Sequence, residues 1–312
     1  MHDTARPVPE SEAAEAAAAQ RVADSPWRRL AAEFAESRLA LAGLAMLAIV
    51  VVIALAAPFI SPQNPYDLAQ LDVMDSKLPP GSAAATGGTY WLGTDDQGRD
   101  MLSGIFYGLR ISLSVGLAST VFAVAIGLTL GLAAAYFGGR VDTVIMRIAD
   151  IQLSFPAILI ALILLAVLGQ GVGKIIVALV TVQWAYYART VRSSALVERQ
   201  KEYIEAARVL ALSQPRIVFR HLLPNCLPPL IVVATVQVAH AITLEATLSF
   251  LGLGLPITEP SLGLLISNGF QYLLSGKYWI SFYPGVALLV TIMAINLVAD
   301  QMRDILNPRL KR

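Results

Sequence analysis

Residues Leu39 to Ile60 form a run of 22 residues with no charged or hydrogen-bonding side chain. At 1.5 Å rise per residue, a helix of that length spans about 33 Å, enough for the roughly 30 Å hydrocarbon core of a bilayer. Hydrocarbon offers the backbone no water, so the run must close its own hydrogen bonds, as a helix does. The run starts too late and is too long for a cleaved signal peptide. Composition agrees: 56% of the 312 residues are hydrophobic and 14% charged, with a mean hydropathy of +0.64. A soluble domain carries about 25% charged residues. The expected fold class is an all-α integral membrane protein.

Five more apolar stretches follow, near Gly108–Phe137, Ile145–Leu168, Ile175–Val191, Asn225–Phe250 and Tyr283–Asp300. Six transmembrane helices are therefore expected. Before them lies a polar, alanine-rich tail, 1–37, in which Ala13–Ala19 reads as loosely helical. Residues 61–104 are polar and broken by Pro62, Pro65, Pro79 and Pro80, which suits an ordered loop with little helix. Gly127 and Gly131 form a GxxxG pair that lets another helix backbone come close. Gly138-Gly139-Arg140 reads as a turn, and Gly252, Gly254 and Pro256 open a second loop. Pro156, after Phe155, kinks the third stretch, either as a fixed bend or as a hinge.

Six spans put both ends on one side. That side carries 18 of the 23 Lys and Arg residues, including Arg140, Arg147, Arg189, Arg192 and Arg199 in or beside short loops. The positive-inside rule then makes both termini cytoplasmic. A net charge of +1 gives no sign of a nucleic-acid partner. A single cysteine, Cys226, excludes an internal disulfide and reads as a small apolar filler.

The longest polar interval of the second half runs from Glu202 to Asn225. Tyr203, Ala206, Ala207 and Leu210 share one helical face, while Glu202, Glu205 and Arg208 lie largely off it. Ser213 can cap a second short helix that tolerates Pro215 in its first turn. Pro224 punctuates the start of the next apolar run. Glu205-Ala206-Ala207, fourteen residues from Arg208 to His221, then Leu223-Pro224-Asn225, resemble the EAA loop of bacterial ABC importer membrane subunits. In that family the loop is the coupling helix that docks in a groove of the ATP-binding subunit. At Ala211 the family normally has Gly, whose left-handed turn costs Ala about 1 kcal/mol.

Leu92-Gly93-Thr94-Asp95 with Gly98-Arg99-Asp100, Phe155-Pro156, Leu248-Ser249-Phe250-Leu251-Gly252-Leu253-Gly254 and Asn307-Pro308-Arg309-Leu310 extend the likeness. Together they resemble the C-type membrane subunit of dipeptide and oligopeptide permeases. The resemblance implies a type I ABC importer, MetI-like fold in a bacterial inner membrane. It divides the chain into a tail, 1–37; a first span and extracytoplasmic loop, 38–104; a type-1 transmembrane domain, 105–301, with coupling loop 192–224; and a short end, 302–312. It implies a B-type partner permease, two ATP-binding subunits that hold ATP and Mg, an extracytoplasmic solute-binding protein, and lipid around the spans. It implies no cofactor in this chain. Peptides are the family default, while nickel, haem and other solutes use close relatives.

Chemistry-bearing motifs are sparse. The histidines are His2, His221 and His240, with no HExxH, GxSxG or Cys/His cluster. Gly169 to Lys174 looks like a phosphate cradle, but Leu168 stands where a P-loop needs its first Gly and Ile175 where it needs Ser or Thr. Asp95, Asp96 and Asp100 around Arg99 do not follow calcium-loop spacing and read as a hydrogen-bonded knot. Ionisable groups inside a span need a partner or a wet cavity. Glu245 therefore reads as path lining or an interhelical contact, and Asn296 as a weaker candidate beside Phe155 and Pro156. A proton-coupled secondary transporter is the alternative, which would use Glu245 and His240 as a relay and usually carries internal repeats. A membrane-embedded enzyme would need a nucleophile or metal cluster.

Overall fold

The computed structural model describes residues 26–67, 71–84 and 87–306. The stretches Ala13–Ala19 and Asn307–Leu310 lie outside them. The first span is a helix, α2, Arg38–Ile60, whose N-cap Ser37 accepts the Ala40 N–H. Ahead of it is a helix that the polar reading of the tail missed, α1, Pro26–Glu36. Gln301 fixes α1 in place by donating from Nε2 to the Glu33 carbonyl at 3.3 Å.

The segment from 61 to 100 holds one short antiparallel pair, β1 (Ser82–Ala83) and β2 (Thr89–Tyr90). Its centre is the expected knot. Asp95 is fully buried and accepts from the Gln97 N–H at 2.8 Å, the Arg99 N–H at 2.9 Å and Arg99 Nε at 2.8 Å. Arg99 reaches on to the Ile257 carbonyl at 3.1 Å. The ion pair lies within the first loop, and the Arg99 bond to Ile257 ties that loop to the second. Trp279 closes the knot by donating to the Thr94 carbonyl at 3.2 Å.

The second span, α3, Met101–Phe137, starts seven residues before its expected position. Asp100 explains the shift. Its carboxylate accepts from the Ser103 N–H and hydroxyl, a capping arrangement that begins the helix inside the knot. Burial holds the Asp100 carboxyl above its usual range, against the Ser103 bonds that lower it.

The third stretch is not one kinked span. It is two helices, α4 (Gly139–Leu153) and α5 (Ala157–Leu168), bent by 91°. Pro156 cannot continue a helix from Leu153, and it disfavours helical backbone in the residue before it. Gln152, just ahead of the break, fixes the bend. Its amide donates to the Thr181 carbonyl, and to that of Val182 at 3.2 Å, and its carbonyl accepts from Trp184 Nε1 at 2.6 Å.

The fourth span, α6, Val172–Glu198, runs seven residues past its expected end at Val191. A short helix α7, Glu202–Val209, follows, then one turn α8, Gln214–Arg216. A π-helical stretch, Ile217–Leu222, carries the chain without interruption into α9, Leu223–Phe250. The second loop folds a helix that was not expected, α10, Leu262–Phe270, capped by Ser261. The last span is α11, Trp279–Leu306.

Among the described residues, four helices are long and apolar enough to cross a membrane alone: α2, α3, Gln214–Phe250 and α11. The bent pair α4–α5 can supply a fifth. The sixth expected crossing is α6, which carries Gln183, Trp184 and Arg189 but runs through the interior, where Ala178, Ala185 and Ala188 are fully buried. An interior helix needs no lipid-facing apolar girdle.

The GxxxG pair is where α3 and α6 come closest. A Cβ on Gly127 would lie 2.4 Å from Tyr187 Cβ, and one on Gly131 2.6 Å from the Ala188 carbonyl oxygen. Overpacking of this kind costs about 1–3 kcal/mol. Gly127→Val should lower the melting temperature of the purified protein in detergent by several degrees. Gly173→Ala, at a position open on all sides, should leave it unchanged. Equal melting of both variants with the parent would show that the α3–α6 contact carries no such load.

Candidate functional site

The interval from Glu198 to Asn225 folds as a compact unit on the end of the bundle. Its interior is Ile204, Ala207 and Ile217, with Leu212 packed against them. Ile204 and Ala207 are three apart on α7, and Ile217 closes over them from the π-helical stretch.

The turn between α7 and the next helix depends on Ala211, whose φ is +52°. Leu210 ends the helix and Ala211 takes the left-handed position. The Ala211 N–H then bonds to the Arg208 carbonyl at 2.9 Å, and the Leu212 N–H to the Ala207 carbonyl at 3.2 Å. These two bonds are those of a Schellman motif, and the contact of Leu212 with Ala207 supplies its hydrophobic clasp. Alanine thus adopts the turn that glycine would adopt, against a steric penalty of about 1 kcal/mol. The chain accepts the strain because two carbonyls at the helix end would otherwise lack donors.

Three side chains tie the unit to the spans on either side. Tyr203 donates to Glu198 Oε2 at 2.7 Å, and Asn225 Nδ2 donates to the Tyr203 hydroxyl at 3.1 Å and to the His221 carbonyl at 2.7 Å. Burial first, then the bond to Glu198, pushes the Tyr203 hydroxyl up to about 12, so it stays protonated and keeps donating. Lys201 adds a 2.6 Å pair with Glu198. Arg199 donates to the Ala135 carbonyl at 2.9 Å, pinning the end of α6 to the end of α3. Farther back, Arg192 pairs with Asp142 and Arg189 with Asp150, which lashes α4 to α6.

The outward surface differs from the helical stripe expected from the spacing. Of Tyr203, Ala206, Ala207 and Leu210, only Ala207 faces inward, at 4% exposure. Glu202, Glu205, Ala206, Arg208 and Ala211 are exposed, as are Pro224 and Asn225, while His221 is half-buried. Val209 and Leu210 are 86% and 73% exposed, and Phe219 is 66% exposed. Bare Val209 and Leu210 beside Glu205 and Arg208 have the make-up of an interface core with a charged rim, whereas Phe219 borders a groove with Leu132 and Tyr136 of α3. Spacing alone missed Val209, Phe219 and the buried Ile204. The doublet of bulky residues ending α7 was the available signal, since neither fits a solvated helix end.

The remaining candidates do not form one site. Phe155 and Pro156 are exposed at the α4–α5 break, and Asn296 is exposed on α11. The Glu245 side chain is fully buried. Ser112 of α3 donates to Oε2 at 2.8 Å and Ser249 to Oε1 at 2.8 Å, so it is an interhelical contact. These donors engage both of its oxygens, and His240 is not among them.

Ala211→Gly should relieve the turn, slowing amide exchange at Leu212 about fivefold for ~1 kcal/mol. Ala211→Val should speed it, since a β-branched residue resists positive φ. The same exchange rate in all three proteins would show that the turn stores no strain.

Two family models match the chain. One describes a binding-protein-dependent transport system inner membrane component and matches residues 127–312. The other describes the N-terminal transmembrane domain of oligopeptide transport permease C and matches residues 25–80. A protein of Brucella suis biovar 1 (strain 1330), named for a peptide transport system permease, is 42% identical over 269 residues, which is 86% of this chain and 87% of that one. The dipeptide transport system permease protein DppC of Bacillus subtilis (strain 168) is 36% identical over 286 residues, 92% of this chain and 85% of that one. Among solved structures, the inward-facing MetNI methionine ABC transporter aligns with a TM-score of 0.53 at 24% identity, over 66% of this chain and 97% of the matched chain. That likeness is one of fold.

Proposed function

The chain belongs to the family of binding-protein-dependent transport system inner membrane components, and from that membership we propose that it is one half of the membrane path of an ATP-driven peptide importer. The peptide substrate rests on the names of the relatives, dipeptide DppC and oligopeptide OppC proteins at 34–36% identity. The observation that carries the coupling role is the compact unit between α6 and α9, with Ala206, Val209 and Leu210 bare on the outside of α7. The other membrane half would be a related B-type permease. Two cytoplasmic ATP-binding subunits would hold ATP and Mg, one of them bound to this patch, and a solute-binding protein would deliver the peptide from outside.

A coupling element must be stiff, joined directly to the spans and accessible to a partner. The buried cluster of Ile204, Ala207 and Ile217 gives stiffness, and the Glu198–Tyr203–Asn225 chain of hydrogen bonds joins the unit to α6 and α9. Ala206 leaves room for a groove wall to approach α7. Glu205 and Arg208 can make charge-assisted bonds at the rim. Glu202, Tyr203, Ala211, His221, Pro224 and Asn225 set the shape of the unit rather than its contact face. Because Ala207 is packed inside, bulk placed there would damage the unit itself, and a fair test of docking must use the outer face.

Leu210→Glu should lower binding-protein-stimulated ATP hydrolysis and uptake in the reconstituted complex at least tenfold, by burying an unpaired charge at the interface. Glu205→Ala should have a milder effect. Copurification of the ATP-binding subunits reads docking directly. Full uptake and full retention of those subunits by Leu210→Glu would remove the coupling role from this surface.

The charge asymmetry of the loops supports cytoplasmic termini and an extracytoplasmic segment 61–100. Ala83 is exposed at the tip of that segment, and the native Cys226 is buried and gives no background. Ala83→Cys should therefore react with an impermeant thiol reagent in intact cells. Reaction only after lysis would invert the topology.

A further inference from the structure

A polar stripe runs along one face of α9. Gln237, His240, Thr243 and Thr247 are spaced three, three and four apart, so they line up along one face of this largely apolar helix. They border a cleft of about 290 Å³ whose opposite wall is Gln183 and Tyr186 of α6. Such groups facing lipid would be costly, so the stripe calls for a wet path or a polar occupant.

Bonding within the cleft is incomplete. Gln183 is 3% exposed, and its Nε2 donates to the Gln237 carbonyl at 3.2 Å. Its Oε1 is buried with no partner. Thr243 and Thr247 donate back to carbonyls of their own helix at 2.8 Å, which leaves their oxygen lone pairs free to accept. His240 is exposed. No Asp, Glu, Lys or Arg lines this cleft. The wall therefore offers donors and acceptors without fixed carboxylate or ammonium charge.

We propose that this cleft is the surface the chain presents to a peptide in transit, and that Gln183, Gln237 and His240 bond to the peptide backbone rather than to its side chains. The inference rests on the peptide reading above. Backbone N–H and C=O groups recur in every peptide and must be bonded wherever water is scarce. Neutral amides match them in both directions. The absence of a fixed charge leaves cationic and anionic peptides equally acceptable, and weak, distributed bonds let the peptide leave as readily as it arrives.

The test uses the complete reconstituted transporter in proteoliposomes with its own binding protein, and the uptake of tri-alanine, tri-lysine and tri-glutamate. His240→Glu should raise the ratio of tri-lysine to tri-glutamate uptake about tenfold over the parent, and His240→Lys should lower it about tenfold. Gln183→Leu should slow all three peptides alike while ATP hydrolysis continues. A merely structural role at position 240 would not sort peptides by charge. If the parent takes up peptides and the ratios do not move, this inference falls and the peptide reading stands. If the parent takes up none of the three, both fall together. Should the charged variants not assemble, His240→Cys asks the same question. Its reaction with a water-soluble, positively charged methanethiosulfonate should be blocked by saturating tri-alanine, and a cysteine that is unreactive or unprotected overturns the proposal.

Discussion

Everything in this fold hangs on the contact between α3 and α6. Two glycines on α3 leave no side chain at the crossing, so Tyr187, Ala188 and Val191 of α6 press against bare backbone. With no hydrophobic drive between helices inside a bilayer, close van der Waals approach is what holds them. The remaining spans assemble around that pair. α9 reaches α3 through the Ser112–Glu245 bond, and α4 reaches α6 through its two ion pairs.

Polar groups supply direction where apolar packing supplies only adhesion. Gln152 sets the angle at which the chain breaks between α4 and α5. Asp95 and Arg99 join loops from opposite ends of the sequence, and Asp100 fixes where α3 begins. Each of these side chains is held by two or more bonds. A buried polar group held by several bonds leaves few alternative arrangements of similar energy.

The apolar runs were legible because the bilayer demands long uninterrupted helices, and the span of α2 was placed to within a residue. The loop between α6 and α9 was legible because its pattern is long, and Ser213 does stand at the N-cap position of α8, although its side chain makes no capping bond there. What failed was tertiary in origin. Pro156 announced a bend, but the 91° angle depends on Gln152 finding carbonyls of α6. The inward side of α7 is set by Ile217, thirteen residues away from Ile204, so helical spacing alone could not place Ala207 inside. α10 is nine residues long and carries two glycines, too little periodic signal to distinguish it from a loop. Glu245 looked like a functional acid because its two serine partners lie on another helix and one turn away. The stripe from Gln237 to Thr247 was there to be read in its three- and four-residue spacing.

The three prolines near the start of α9 give the two connections of the unit between α6 and α9 unequal mechanics. Pro224, Pro228 and Pro229 each lack the N–H that would continue the helical ladder, and the π-helical stretch before them closes wider turns, as in the Leu223 N–H bonding back to the Val218 carbonyl. A rod missing three rungs within six residues bends more easily than one with all of them. α6 has no proline and is clamped at its end by Arg199. Force applied to the unit is therefore carried into the bundle along α6 as along a push-rod, while the foot of α9 yields like a leaf spring.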